Sequence, residues 1–226
     1  MTSAQYGALF DMDGVLVDSH DAHYESWARL GEEIGQPFSK TLFSETFGTM
    51  NAPIIRKWLG EETNDEEIAK LSDRKEILYR AVACEALRPL DHVCELIGDL
   101  RAHGFRLAVG SSGPRENVEL VLDSVLHLRE AFDALVTMED VTHGKPAPEV
   151  FLKAAAQLGL PAARCVVFED APQGVEAGRA AGALVVAITS TRSRRMLSAA
   201  DLVVDSWGDV DVEKIMAMFA GRGVTG

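Results

Sequence analysis

The chain has 226 residues, with 22 Lys and Arg against 35 Asp and Glu and a formal charge of −13 at pH 7. Apolar residues make up 47% and charged residues 25%, enough buriable surface to offset ordering entropy, which excludes a wholly disordered chain. The acidic balance excludes nonspecific binding to duplex nucleic acid or to an anionic membrane surface, both of which need a basic footprint.

The three cysteines, Cys84, Cys94 and Cys165, form no C-x-x-C pair. Neither a disulfide framework nor a zinc cluster is expected. No basic segment with a long apolar run opens the sequence and no apolar run reaches membrane-spanning length, so the expected address is the cytoplasm. The expected partner is a small molecule, with the chain a monomer or a small homo-oligomer.

A short apolar run, Tyr6 to Phe10, predicts a first strand, followed by Asp11-Met12-Asp13-Gly14. From about Ser19 to Ala86 the pattern is helical. Trp27, Leu30 and Ile34 recur at three- and four-residue spacing, as do Ile68, Leu71, Leu78 and Val82. Asn64 or Asp65 is placed to cap the last of these helices, with Glu66 and Glu67 in its first turn. Gly35-Gln36-Pro37, Gly48 and Gly60 break the helices apart.

From Leu87 onward the pattern alternates. Apolar runs at 105–110, 134–137, 165–168, 184–189 and 202–204 read as strands; amphipathic segments at 93–103, 116–126, 149–158, 174–181 and 212–219 read as helices. Strands alternating with helices give parallel β-α-β units, and right-handed crossovers wind them into an open sheet covered on both faces. The predicted fold is α/β: a Rossmann-like, doubly wound parallel sheet core from residues 1–18 and 87–226, with an inserted α-helical cap at 19–86.

Ligands of such sheets bind beyond the carboxyl ends of the strands. Asp11 and Asp13 follow the first strand at i and i+2, so both carboxylates can face one site while Met12 points back. Alone, Asp-Gly is a common surface turn. Ser111 and Ser112 follow the next strand, and their hydroxyls and nearby N–H groups suit a phosphate, or equally a helix cap. Lys145 sits in a loop stiffened by Pro146 and Pro148, where a lone lysine is more often a solvated charge. Glu169 and Asp170 end a continuous apolar run, where acids are costly unless paired or bound to a metal, or else act as a cap. Each signal is weak alone, but acids, hydroxyls and an ammonium at one sheet edge are hard to attribute to capping.

In this order, Asp11-Met12-Asp13-Gly14-Val15-Leu16-Val17-Asp18-Ser19, Ser111, Lys145 and Glu169-Asp170 resemble the four motifs of the haloacid dehalogenase-like (HAD) hydrolase superfamily. The likeness is to its β-phosphoglucomutase-like branch and covers essentially the whole chain. The resemblance implies phosphoryl transfer through an aspartyl-phosphate, with Asp11 as nucleophile and Asp13 as general acid and base. It also implies Mg²⁺ held by Asp11, the backbone carbonyl of Asp13 and Asp170, with Glu169 supporting them. Lys145 and Ser111 would hold phosphoryl oxygens, with Ser112 beside them. An acid at position 13, where dehalogenases of the family lack it, implies a phosphatase.

The cap is expected to set specificity, with His23, Asn51 and Lys75 as candidate contacts and Arg115 as a possible grip on a second anionic group. The mutase branch carries an arginine after the cap glycine, where this chain has Asn51. Hydrolysis of a small phosphate monoester, such as a sugar or polyol phosphate, is therefore expected over a phosphosugar mutase. A phosphorylated receiver domain fits less well, since it lacks a helical insertion, and a dinucleotide-binding dehydrogenase lacks its G-x-G-x-x-G here.

Overall fold

The computed structural model describes residues 6–223; residues 1–5 and 224–226 of the expected core lie outside the described residues. The chain divides into two compact units, one from residues 6–18 and 89–223 and the other from Ser19–Arg88. Strand β1, Gly7–Phe10, is buried throughout and belongs to the first unit.

The second unit is helical, with α1 (His20–Ile34), α2 (Lys40–Thr46), α3 (Asn51–Leu59) and α4 (Asp65–Ala86). The caps are those that the sequence pattern places. Asn64 accepts the Glu67 N–H at 2.9 Å, and Asp65, Glu66 and Glu67 fill the first turn, where the helix dipole favours negative charge. Gly35 ends α1 with φ +70°, a left-handed conformation that costs glycine little. Trp27, Leu30, Phe38, Phe43, Ile55, Ile68 and Leu78 pack into a core belonging to this unit alone, with Trp27 stacked on Phe38.

The first unit continues with α5 (Val93–Ala102), β2 (Arg106–Gly110), α6 (Arg115–Leu120), β3 (Ala134–Val136), α7 (Glu149–Gln157) and β4 (Cys165–Glu169). It ends with α8 (Pro172–Ala180), β5 (Leu184–Ile188), β6 (Leu202–Val204) and α9 (Val212–Gly221). These strands form a parallel sheet in the order β3-β2-β1-β4-β5-β6. Its strands are continuous apolar runs because helices cover both faces. Side chains such as Val167, Val185 and Phe151 are fully buried, and each contributes on the order of 2 kcal/mol by leaving water.

Register sets the site. Phe10 pairs with Val109 on one side and Phe168 on the other, and the two rings stack at 4.5 Å. The residues that follow, Asp11, Gly110-Ser111 and Glu169-Asp170, therefore stand at the same carboxyl edge of the sheet. The region read as one helix over 116–126 is α-helical only to Leu120. A π-helical turn, Val121–Val125, follows, with the Leu126 N–H reaching back to the Val121 carbonyl, and His127 beyond it takes the left-handed φ of +53°. Among the described residues no helix is long and apolar enough to cross a membrane.

Candidate active site

Asp11 leaves β1 while its N–H still donates to the Phe168 carbonyl at 3.0 Å, so the central strands hold it. The Met12 carbonyl then accepts the Leu16 N–H at 2.8 Å and closes a turn with Met12 buried beneath. Gly14 takes φ +75°, and a Cβ there would stand 2.3 Å from Asp170 Oδ2. Only glycine satisfies both the backbone and the space.

Lys145 reaches the same place from the loop before α7. Its Nζ donates to Asp11 Oδ1 and to Glu169 Oε1, both at 2.7 Å, and lies 4.8 Å above the Phe151 ring. The other Glu169 oxygen accepts the N–H groups of Asp170 and Ala171 at 2.9 and 3.1 Å. Glu169 is thus a buried acid with its oxygens occupied. Its room comes from Gly174 in α8, where a Cβ would fall 1.7 Å from Oε1.

Asp11, Glu169 and Asp170 each offer an oxygen, all within 4.8 Å of one another, and could hold a metal ion. Burial pushes Asp11 up to about 7, with the charges of Glu169 and Asp13 adding to it against the pull of Lys145. Burial also raises Asp170 well above its ordinary value, reinforced by Glu169 and Asp11. Burial would lower Lys145, but the two carboxylates outweigh it and hold the ammonium above its ordinary value. One ammonium faces three buried acids, two of which burial pushes towards the neutral form, so holding all three ionised calls for further positive charge. An all-oxygen donor set with that need fits a hard divalent cation.

Ser111 is buried at the end of β2, where its N–H donates to the Val136 carbonyl and its Oγ accepts the Gly113 N–H at 3.0 Å. Ser112 is exposed beside it. Asp13 lies close enough to raise Asp11, outside the set of three carboxylates that could share an ion. The Arg115 guanidinium pairs with Asp140 at 2.6 Å, and its backbone N–H donates to Glu139.

In the helical unit, His23, Asn51 and Lys75 converge on one cluster. Lys75, 2% exposed, lies 2.9 Å from His23 Nδ1 and 2.9 Å from Glu76 Oε1; Asn51 donates to the same Glu76 oxygen at 2.8 Å. Because an ammonium only donates, His23 Nδ1 is the acceptor. Lys75 and Asn51 lower Glu76 against the effect of its burial. Glu76 was not singled out from sequence, where it reads as one more charge on α4.

Three further residues lacked a sequence signal. Thr191, in the loop after β5, donates to Asp170 Oδ2, and Ser190 donates to the Gly14 carbonyl at 2.5 Å. Glu149, at the start of α7, accepts the N–H groups of Thr142 and His143 just before Lys145. Their residue types are those of ordinary loops and first helical turns.

A family model described as haloacid dehalogenase-like hydrolase matches residues 7–182. The chain is 31% identical over 214 residues to validoxylamine A 7'-phosphate phosphatase of Streptomyces hygroscopicus subsp. limoneus, covering 90% of this chain and 94% of that one. It is 32% identical over 178 residues to a fructose-1-phosphate phosphatase of Escherichia coli strain K12, covering 78% and 92%. In fold it is similar to the crystal structure of β-phosphoglucomutase from Clostridium difficile, with a TM-score of 0.85 at 24% identity over 97% of this chain and 99% of that one. The match spans both the strand that carries Asp11 and the strand that carries Glu169 and Asp170, so the chain belongs to the haloacid dehalogenase-like hydrolases.

Proposed function

We propose that this enzyme is a Mg²⁺-dependent phosphatase that hydrolyses a small phosphate monoester by way of an aspartyl-phosphate on Asp11. The observation that carries this reading is the ammonium of Lys145 shared between Asp11 and Glu169 at 2.7 Å, beside Asp170. Asp11, Asp170 and the Asp13 carbonyl, with Glu169 behind them, would hold Mg²⁺, which supplies positive charge to the phosphoryl oxygens. Asp11 attacks phosphorus, the bond from phosphorus to the ester oxygen breaks, and Asp13 gives that oxygen a proton. Asp13 then takes a proton from water as the water oxygen attacks phosphorus, which releases phosphate and restores Asp11. Lys145 fixes the attacking carboxylate, and Ser111 and Ser112 hold phosphoryl oxygens; positioning and charge carry most of this reaction class.

The names of the relatives, for dephosphorylating validoxylamine A 7'-phosphate and fructose 1-phosphate, support a sugar or polyol phosphate as substrate. We assign specificity to the His23, Asn51, Lys75 and Glu76 cluster of the helical unit. A mutase must grip a second phosphate, and this cluster does not favour one: Lys75 is offset by Glu76, and Asn51 is bonded to that same acid. A cytoplasmic address and a monomer or small homo-oligomer complete the reading.

A phosphate-release screen over a metabolite panel, with Mg²⁺ and with Asp11→Asn as blank, tests it. Release should require divalent metal, stop with chelator, return on readdition, and fall by about 10⁴-fold or more in the Asp11→Asn protein. Turnover in excess chelator, or by the Asp11→Asn protein, would refute the reading. Conversion of a hexose 1-phosphate to its 6-phosphate without free phosphate would select the mutase.

A further inference from the structure

We propose that Ser190 and Thr191 form a hydroxyl clamp that positions Asp170 against the Asp11–Gly14 turn and thereby sets the affinity for the divalent ion. The clamp rests on the metal-dependent reading above and extends it to a strand that none of the four motifs touches.

The loop is anchored at its start. Thr189 donates its N–H to the Val204 carbonyl at 3.0 Å and its hydroxyl to Asp205 Oδ1 at 2.7 Å. The next two hydroxyls then point to two different parts of the site. Ser190 Oγ donates to the Gly14 carbonyl at 2.5 Å, which ties the loop to the turn that follows Asp11 and Asp13. Thr191 Oγ1 donates to Asp170 Oδ2, with a longer approach to the Asp170 carbonyl at 3.4 Å.

The contacts close on themselves. A Cβ on Gly14 would meet Asp170 Oδ2 at 2.3 Å and Thr191 Cγ2 at 2.8 Å, so the turn, the carboxylate and the threonine methyl touch at one point. Asp170 is 4% exposed, so its carboxylate is enclosed by these contacts. A donor on one oxygen fixes the rotation of the group about Cβ–Cγ, so that Asp170 faces Asp11 and Glu169 without a search when the ion arrives. Partners that orient metal ligands in this way carry a substantial part of metal affinity, about 10- to 100-fold.

Thr191→Val keeps the shape and removes the donor; Thr191→Ser keeps the donor and removes the methyl. The readout is the rise in unfolding temperature of the full chain titrated with MgCl₂, alongside phosphate release at each concentration. The midpoint for Thr191→Val should move about 10- to 100-fold higher, with excess magnesium restoring most of the lost turnover. Thr191→Ser should stay close to wild type, and Ser190→Ala should shift in the same direction by less. An unmoved midpoint in Thr191→Val, or in Ser190→Ala should Thr191→Val not fold, overturns the clamp. So does a Thr191→Ser protein as weak as Thr191→Val, which would assign the effect to methyl packing. A wild-type chain that ignores magnesium sinks the metal reading itself and this inference with it.

Discussion

Lys145 Nζ lies 2.7 Å from Asp11 Oδ1 although 134 positions separate the two residues. The lysine is 7% exposed, and its other partner, Glu169, is 1% exposed. Replacing Lys145 with Met would leave three buried carboxylates with no cation among them. Removing one partner of a buried pair costs about 3 kcal/mol. Urea unfolding in chelator should show that loss, partly restored by magnesium, and turnover should fall by about 10²- to 10³-fold. An unchanged unfolding midpoint would mean that the ammonium is not what offsets those acids.

Gly174→Ala should inactivate through Glu169. The added methyl would fall 1.7 Å from Oε1, so the carboxylate must leave Lys145 and the Asp170 and Ala171 N–H groups. Alanine favours a helix over glycine by about 1 kcal/mol, so weakened helix propensity is not the source of any loss. A fall in kcat of about 10²-fold is expected, with the donors displaced. Full activity in this variant would show that Glu169 need not stand where it does.

Glu149 is drawn down to about 2 from its ordinary 4.5, chiefly by Lys153, then by the N–H groups of Thr142 and His143. Its folded value lies below the unfolded one. Its contribution is therefore complete above about pH 4.5 and is lost as the pH falls towards 2. Glu149→Gln should melt below wild type at pH 7 and approach it through that acid window, read as unfolding temperature against pH. Parallel curves for the two proteins would remove Glu149 from the acid response.

Lys75→Met should change the ranking of sugar and polyol phosphates by about 10-fold or more, while altering hydrolysis of a small generic ester less. Measuring kcat/KM over both kinds of substrate decides it, since equal losses on all of them would place Lys75 outside specificity. The variant also strips Glu76 of its ammonium partner, so its stability should be compared in parallel.

Glu169 and Asp170 are legible alone because acids at the end of a buried apolar strand are costly. Asp11, Asp13, Ser111 and Lys145 are ordinary one by one and become legible only as an ordered set at the ends of predicted strands. Periodicity placed the strands and helices because burial enforces it. Serine, threonine and a helix-start glutamate carry no such cost in a loop. Ser190, Thr191 and Glu149 therefore look ordinary until the backbone brings them to Gly14, Asp170 and the Thr142–His143 peptides. Arg115 likewise has a partner that the sequence does not show, Asp140, which pairs with its guanidinium. The widened turn after Leu120 escaped because apolar spacing does not distinguish an i+4 from an i+5 hydrogen bond at a helix end.

Strand β1 has a further effect on the order in which the molecule can be built. It lies between β2 and β4, so its neighbours are Arg106–Val109 and Cys165–Phe168. On the ribosome the apolar Gly7–Phe10 segment emerges before the other strands of its sheet and has no sheet neighbour until residue 106 has been made. The helical unit, whose core is its own, is fully synthesised in that interval. Strand β1 is thus made well before both strands that flank it, and its apolar edges wait unpaired through the synthesis of the whole helical unit, which makes it a segment dependent on protection during biosynthesis.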